Sequence, residues 1–423
     1  MRLRLILLAL GTFAVGTDGM VIAGILGLVA HDLDVSVAAA GQMITVFALS
    51  YAALAPVLAT LTAKWPRRRT LLLALTVFTL ANALSALAPD FGTLLLTRVL
   101  AAVGAALYTP TASAAATALV PPERRGRAIA TVMGGMTVAT AVGVPLGTWI
   151  GRSDWRLTMW LVTALGAAAF AGLALMLRDL PAPAPAHTLS LRTRLAPLTD
   201  RRVLGATATT FLVFLAFQTV YIYYTVASAP ATGGDQSRLT LLLLVSGVFS
   251  VVGSNVGGRV VDIWGPRAVM LSAGTVSAAV TLALPWLMQS MTTALIASAL
   301  NPLAGWAVAV ALPARLVSLD PPNAPLLLSL NSTALYFGIA AAGATGSAAI
   351  AVLGNRWFPF ASTALTLLSL AMAHLTTRES RVRARPATHP SGPRVDLREP
   401  PISTLRSTPG SRCETPGGSS LEA

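Results

Sequence analysis

Two side chains in this sequence stand where charge is expensive. Asp18 lies about halfway along an apolar run from Leu5 to near Ala30, and Arg98 lies inside another, "LLLTRVLAAVGAALYTP". A charged side chain at the centre of a membrane helix costs roughly 2.5–3.5 kcal/mol on insertion scales. Asp18 is the one acid inside any apolar run and Arg98 the one cation, and pairing lowers the cost of burying either. If the first run crosses a membrane and the fourth returns, Asp18 is about 10 residues and Arg98 about 7 residues from the same face. At 1.5 Å per residue their depths differ by only about 5 Å. Two readings follow. One is a structural salt bridge. The other is a titrating site, because burial disfavours a carboxylate and a nearby guanidinium favours it. A small rearrangement then captures or releases a proton, and intramembrane ionisable groups usually mark ion or substrate paths.

A path for a solute needs a lining. Gln42, Tyr51, Tyr108, Gln218, Tyr221, Asn301, Asn331 and Tyr336 all fall within apolar runs. Each alone also reads as an interhelical hydrogen bond or core packing, and Tyr221 with Tyr224 also reads as part of an aromatic belt. As a group they suit uncharged or amphipathic organic molecules. Other chemistries lack their residues. Cys413 is the single cysteine, so no internal disulfide or thiolate metal site is expected. The four histidines are scattered without metal-ligand spacing. No nucleophile–base pair and no nucleotide loop such as G-x-x-x-x-G-K-[ST] appears, which argues against an enzyme and against ATP-driven transport on this chain.

The elements that must hold these residues follow from composition. The chain has 423 residues, 55% hydrophobic and 11% charged, against about 25% charged in soluble proteins. Apolar blocks fall at about 5–30, 37–63, 68–89, 92–118, 127–150 and 157–177, then at 203–228, 238–258, 267–288, 292–314, 325–353 and 357–377. Blocks of this length without alternating polarity exclude barrel strands and leave helices. The expected fold is an all-α membrane protein of twelve transmembrane helices in two pseudo-symmetric six-helix bundles, 1–177 and 203–377. A Pro-rich basic linker, 178–202, joins them, and a tail at 378–423, rich in Pro, Ser, Thr and Arg, is expected to be disordered. The basic start followed by an apolar stretch resembles a signal peptide, but the apolar stretch runs too long, and it reads as an uncleaved first span.

Charge sets orientation. Lys64 and the arginines concentrate in alternate connections, the linker and the tail, whereas Arg152, Arg156, Arg238 and Arg356 fall in the other loops. With both termini cytoplasmic, this is the positive-inside pattern. The net charge of +14 is therefore a topology signal, and no nucleic-acid partner is expected.

The two halves echo one another. "ATLTAKWPRRRTLL" from Ala59 and "GRVVDIWGPRAVML" from Gly258 align at an offset of 199 residues, Trp65 on Trp264 and Arg68 on Arg267. Parallel repeats of six helices occur in one large class of secondary transporters. In the fifth span Gly135, Ala139, Gly143 and Gly147 recur every four residues and line one helix face, where small residues permit close approach. Pro145 removes a backbone donor and permits a bend. Plain helix packing explains this face, and a seal against leakage is the second reading.

On these motifs the chain resembles the major facilitator superfamily over residues 1–377. It is most similar to the twelve-helix drug:proton antiporters, in the branch with sugar-efflux and chloramphenicol-efflux proteins. Gly258, Asp262, Gly265 and Arg267 match the G-x-x-x-D-x-x-G-R-R inter-helix loop, with Pro266 at the first arginine. The first-half counterpart departs from it: Ala59, Ala63 and Pro66 replace Gly, the acid and Gly, while Arg67, Arg68 and Arg69 remain and are placed to dock on helix C-terminal ends. Gly143, Pro145 and Gly147 resemble the antiporter signature, and Arg98 matches the arginine of R-x-x-Q-G, with Ala101 and Ala102 in place of its last two residues. The resemblance implies a monomeric exporter of small organic molecules, drugs or antibiotics, in the bacterial cell membrane. It would need no cofactor and would be driven by exchange for protons through Asp18 and Arg98. Sugar or metabolite efflux by the same fold is the alternative. From other classes, a receptor or scaffold is disfavoured by the repeat.

Overall fold

A computed structural model of the chain describes residues 2–62, 65–121, 124–176, 196–320 and 323–383, and every regular element among them is helical. The first half holds α1 (Arg2–Asp32), α2 (Gln42–Leu61, entered through the single turn Val37–Ala40), α3 (Arg67–Ala86) and α4 (Phe91–Ala118). Helix α5 starts as Arg125–Val138, passes through a π-helical turn at Ala139–Gly143 and ends as Val144–Ile150; α6 is Trp155–Met176. In the second half, α7 (Arg201–Ile222) breaks at Tyr223 and continues as Tyr224–Thr232.

Next comes a helical stretch of 52 residues, Gln236–Leu287. One such helix would be about 78 Å long, against a hydrocarbon core of about 30 Å. Gly265, at φ 78° and ψ 159°, divides it, in a region of backbone space that is essentially reserved for glycine. The two parts are α8 (236–264) and α9 (266–287). Helix α10 (Met291–Leu319) follows, then α11 (324–353), which a second such glycine, Gly354, cuts from the turn ending at Trp357. Helix α12 is Pro359–Arg383. Ten described stretches are long and apolar enough to cross a membrane. Dividing the 52-residue stretch and adding the shorter apolar part of α12, Pro359–Leu375, yields the twelve expected spans.

Three expectations about boundaries change. The segment 258–267, expected as a loop, is helical as far as 264 and turns on Gly265 alone. Residues 201–202, assigned to the linker, begin α7, and residues 378–383, assigned to the tail, complete α12. Residues 178–195 and 384–423 lie outside the described residues, as does the expected disorder of the tail.

Helix starts are fixed by side-chain caps. Asp90, Asp200, Asp235 and Ser290 accept hydrogen bonds from the first-turn amides of α4, α7, α8 and α10, satisfying donors a helix leaves free. Large apolar side chains face outward, among them Leu87, Leu96 and Val352, as lipid permits and water does not. The interior uses small residues instead. In the first half Leu71, Leu75 and Phe78 of α3 pack on Ala101, Ala105 and Ala106 of α4. A Cβ on Gly104 would overlap Phe78, so α3 and α4 touch through backbone there.

Residues Met1–Arg381 form one compact unit. Within it the halves meet through α2 against α11 and α5 against α8. The largest core cluster joins Val21, Ile22 and Ile25 of α1 and Met43 of α2 to Ile222, Tyr223 and Leu242 of the second half. It sits at the end of the bundle away from the N-terminus, called here the far end.

Candidate functional site

Asp18 and Arg98 face one another between α1 and α4. Nη1 of Arg98 donates to Oδ1 of Asp18 at 2.7 Å, and Nη2 donates to Oδ2 at 3.1 Å. The pair is bidentate, the strongest arrangement of these groups. Neither is open to solvent: Asp18 is 0% and Arg98 1% exposed. The Phe47 ring of α2 lies under the guanidinium, 4.9 Å from Cζ. Nε of Arg98 is buried and has no hydrogen-bond partner. Among the described residues the carboxylate is thus the whole of the counter-charge within ion-pair distance, and the main hydrogen-bonding environment, of a fully buried cation. The 199-residue offset carries Asp18 onto Phe217 and Arg98 onto Ala297. The ion pair therefore belongs to one half only.

The residue before Asp18 ties the pair to α5. A Cβ on Gly143 would overlap Oγ1 of Thr17, and one on Gly147 would overlap Val21. Oγ1 of Thr158 donates to the Gly147 carbonyl at 2.8 Å. Pro145 has no N–H to give the Ala141 carbonyl and its ring would crowd it. The helix accommodates this by widening into the π turn just before the proline. That turn projects into the second half: a Cβ on Gly247 of α8 would collide with the Thr140 carbonyl and Ala141. The expected small-residue face of α5 thus packs on α1 at the level of Asp18, and the neighbouring turn packs on α8.

Side chains that join the halves run along α1. Tyr221 donates to the Met20 carbonyl at 3.4 Å, Thr225 to Ala23 at 2.9 Å, and Nε2 of Gln236 to Gly24 at 2.8 Å. Tyr51 of α2 and Tyr336 of α11 stack with ring centroids 3.9 Å apart. From that stack to the far end the halves are joined by these hydrogen bonds and by the largest core cluster. Tyr51, Tyr221 and Tyr336 are therefore brought to the seam. Gln218, one turn before Tyr221, is buried with Oε1 unsatisfied.

The other lining candidates lie elsewhere. Gln42 opens α2 at the far end rather than at mid-depth. Tyr108 is fully buried in the first half, donating to the Leu8 carbonyl at 2.9 Å. Asn331 accepts from Thr210 within the second half, and Asn301 accepts from Ser277 in a small pocket among α7, α9, α10 and α12. These three hold helices of one half together.

Of the expected gating residues, Arg68 donates through Nη2 to the Ala174 carbonyl in the last turn of α6, at 2.9 Å, where helix C-termini favour cations. Arg67 is half-buried and Arg69 exposed beside it, and Gly258 and Arg267 are half-buried on either side of Gly265. Asp262 is exposed and forms no ion pair among the described residues. The described residues contain no group of three metal-ligating side chains. Three contributors escaped the sequence reading. Phe47 supports Arg98; Tyr223 donates to the Gly343 carbonyl and reaches Ala38; Gln236 bridges the halves. Only Tyr223 carried a signal, as one member of the "YIYY" run.

Two helical halves, a polar seam between them and one buried ion pair beside it define a secondary transporter of the repeat type. The chain belongs to the Major Facilitator Superfamily, whose family model matches residues 8–231 and 206–410. It is 30% identical over 383 residues to the inner membrane transport protein YdhP of Escherichia coli (strain K12), covering 89% of this chain and 96% of that protein. It is 35% identical over 282 residues to a chloramphenicol resistance protein of Streptomyces lividans, covering 65% and 70%. The fold matches a bacterial homologue of the human lysosomal transporter Spinster, solved inward-facing and unoccupied. There the TM-score is 0.70 at 18% identity, over 89% of this chain and 96% of that one.

Proposed function

We propose that this chain exports small organic molecules, drugs or antibiotics among them, across the cytoplasmic membrane in exchange for protons. One observation carries the reading: residues 17–24 of α1 serve both the ion pair and the seam. Asp18 binds Arg98, Thr17 abuts Gly143, and Met20, Ala23 and Gly24 accept the hydrogen bonds from the second half. A change at Asp18 is felt by the contacts that keep the far end shut.

The distribution of Lys and Arg makes the near end cytoplasmic, so the state described here is sealed toward the outside. In it the carboxylate is held by Arg98. While the far end is open, Asp18 is unpaired from Arg98 and takes up its proton from outside. Once the far end has closed it yields the proton to the cytoplasm, and the carboxylate re-forms the pair and secures the seal. Substrate occupies the space between the halves, against Tyr51, Tyr336, Gln218 and Tyr221. Their phenol rings and single amide make a mixed apolar and weakly polar lining, suited to uncharged or amphipathic molecules. The resistance named for the Streptomyces relative supports a drug over a sugar. The test is an inhibitory-concentration panel across antibiotic classes in a host lacking its own pumps. Raised tolerance to at least one compound, lost in Asp18→Asn, is expected. Unchanged tolerance throughout, with the protein in the membrane, contradicts drug export; uptake assays with sugars then decide for the alternative.

A further inference from the structure

Of the arginines at the far end, Arg156 faces Asp32 and Asp154, and Arg238 faces Asp235. Arg152 and Arg356 instead lie over the rings of Trp149 and Trp357, at 4.9 and 4.8 Å. Arg356 has no carboxylate within ion-pair distance among the described residues. It stands at the rim of a groove of about 500 Å³. The lining is apolar at its base, with Leu284 of α9, Met288 just after it and Val37 from the first half; Gln289 and Asn355 line it with Arg356. Beside it Trp286, Trp357 and Phe360 form a cluster with centroids 5.4 to 6.1 Å apart, and Trp286 is 53% exposed. Exposed tryptophans at helix ends mark the headgroup level of a bilayer.

We propose that this groove binds the headgroup and glycerol of an anionic phospholipid, and that its occupancy holds the far end closed. The phosphate meets the Arg356 guanidinium, whose fork suits phosphate oxygens, and the rim amides supply further donors. The glycerol and upper acyl carbons lie against Val37, Val226, Ala229 and Pro230, the half-buried and exposed apolar residues of the lining, and the chains continue along the tryptophan cluster into the bilayer. Because Val37 and Gly27 come from the first half and the remaining lining from the second, the lipid touches both halves in this state. It loses one set of contacts when they part.

The test uses the full chain in detergent, titrated with phosphatidylglycerol or phosphatidylcholine and read by native mass spectrometry. Phosphatidylglycerol should bind in preference, and Arg356→Gln should weaken it by about tenfold, the value of one charge-assisted contact. Arg356→Lys should bind between Arg356→Gln and the wild type, keeping the charge without the fork, and Arg238→Gln should bind as the wild type does. Equal binding of the two lipids, or no effect of Arg356→Gln, overturns the site. Competition by inorganic phosphate or glycerol phosphate at the lipid's own concentration would assign it to a free anion instead. Spin labels at His31→Cys and Ser237→Cys in a Cys413→Ser background, exposed on opposite halves and outside the groove lining, should report a larger closed population in phosphatidylglycerol than in phosphatidylcholine nanodiscs. An unchanged distribution overturns the effect on closure.

Discussion

Asp18→Asn tests the ion pair most sharply as a structural element. Both terminal nitrogens of Arg98 are spent on the two oxygens of Asp18. Asparagine keeps one acceptor and turns the other contact into donor against donor. The guanidinium is 1% exposed, so water cannot replace the lost oxygen, and Nε already lacks a partner. Phe47 remains, but a ring face at 4.9 Å contributes on the order of 2 kcal/mol to a desolvated cation. Breaking one side of a buried pair costs about 3–5 kcal/mol. Arg98→Gln should cost a similar amount by stranding the carboxylate. The double variant buries two neutral amides of near-native size and should lose no more than either single change. The pair then shows a coupling energy of about 3 kcal/mol or more. The assay is equilibrium unfolding of the purified variants in mixed micelles. If the double variant costs the sum of the two, the contact carries no coupling and the reasoning fails.

Three further outcomes can be measured in the same way. Gly143→Ala places a methyl on Thr17 and should cost about 1–3 kcal/mol; a neutral result would mean that α1 and α5 are not in contact at Asp18. Gly265→Ala should cost about 1–3 kcal/mol, since the Gly265 backbone at φ 78° and ψ 159° is closed to alanine; an unchanged unfolding midpoint would place the division between α8 and α9 elsewhere. A double-mutant cycle of Tyr51→Leu with Tyr336→Leu should return about 0.5–1.5 kcal/mol of coupling, and no coupling would mean that α2 and α11 do not stack through these rings.

What could be read from the sequence was whatever contrasts with lipid. A charge in an apolar run stands out, so Asp18 and Arg98 were visible and their shared depth followed from helix rise. The break at Gly265 was visible in "IWGPR", although helix extends further toward it than the loop motif implied. The facing of the polar candidates was not legible. In a soluble helix the polar stripe shows which face looks inward. A membrane helix is apolar all round, because lipid and core accept the same side chains. Tyr51 and Tyr108 are therefore alike in sequence, yet one lies in the seam and the other pins α4 to α1. Asn301 and Asn331 were not told apart from lining residues for the same reason, and their Oδ1 atoms accept hydrogen bonds within one half. The π turn was half visible, since Pro145 announced a distortion but not its direction toward Gly247.

The central claim is that Asp18 couples protons to transport. The direct measurement is accumulation, in proteoliposomes under an imposed pH gradient, of a compound to which the protein confers tolerance. The wild type, Asp18→Asn and Asp18→Asn/Arg98→Gln are compared, with the stability of each known from the unfolding cycle. The account predicts gradient-driven accumulation by the wild type alone. The stable double variant should still exchange the compound down its own gradient. Accumulation by the double variant at the wild-type level would contradict the claim and leave the pair as a structural salt bridge.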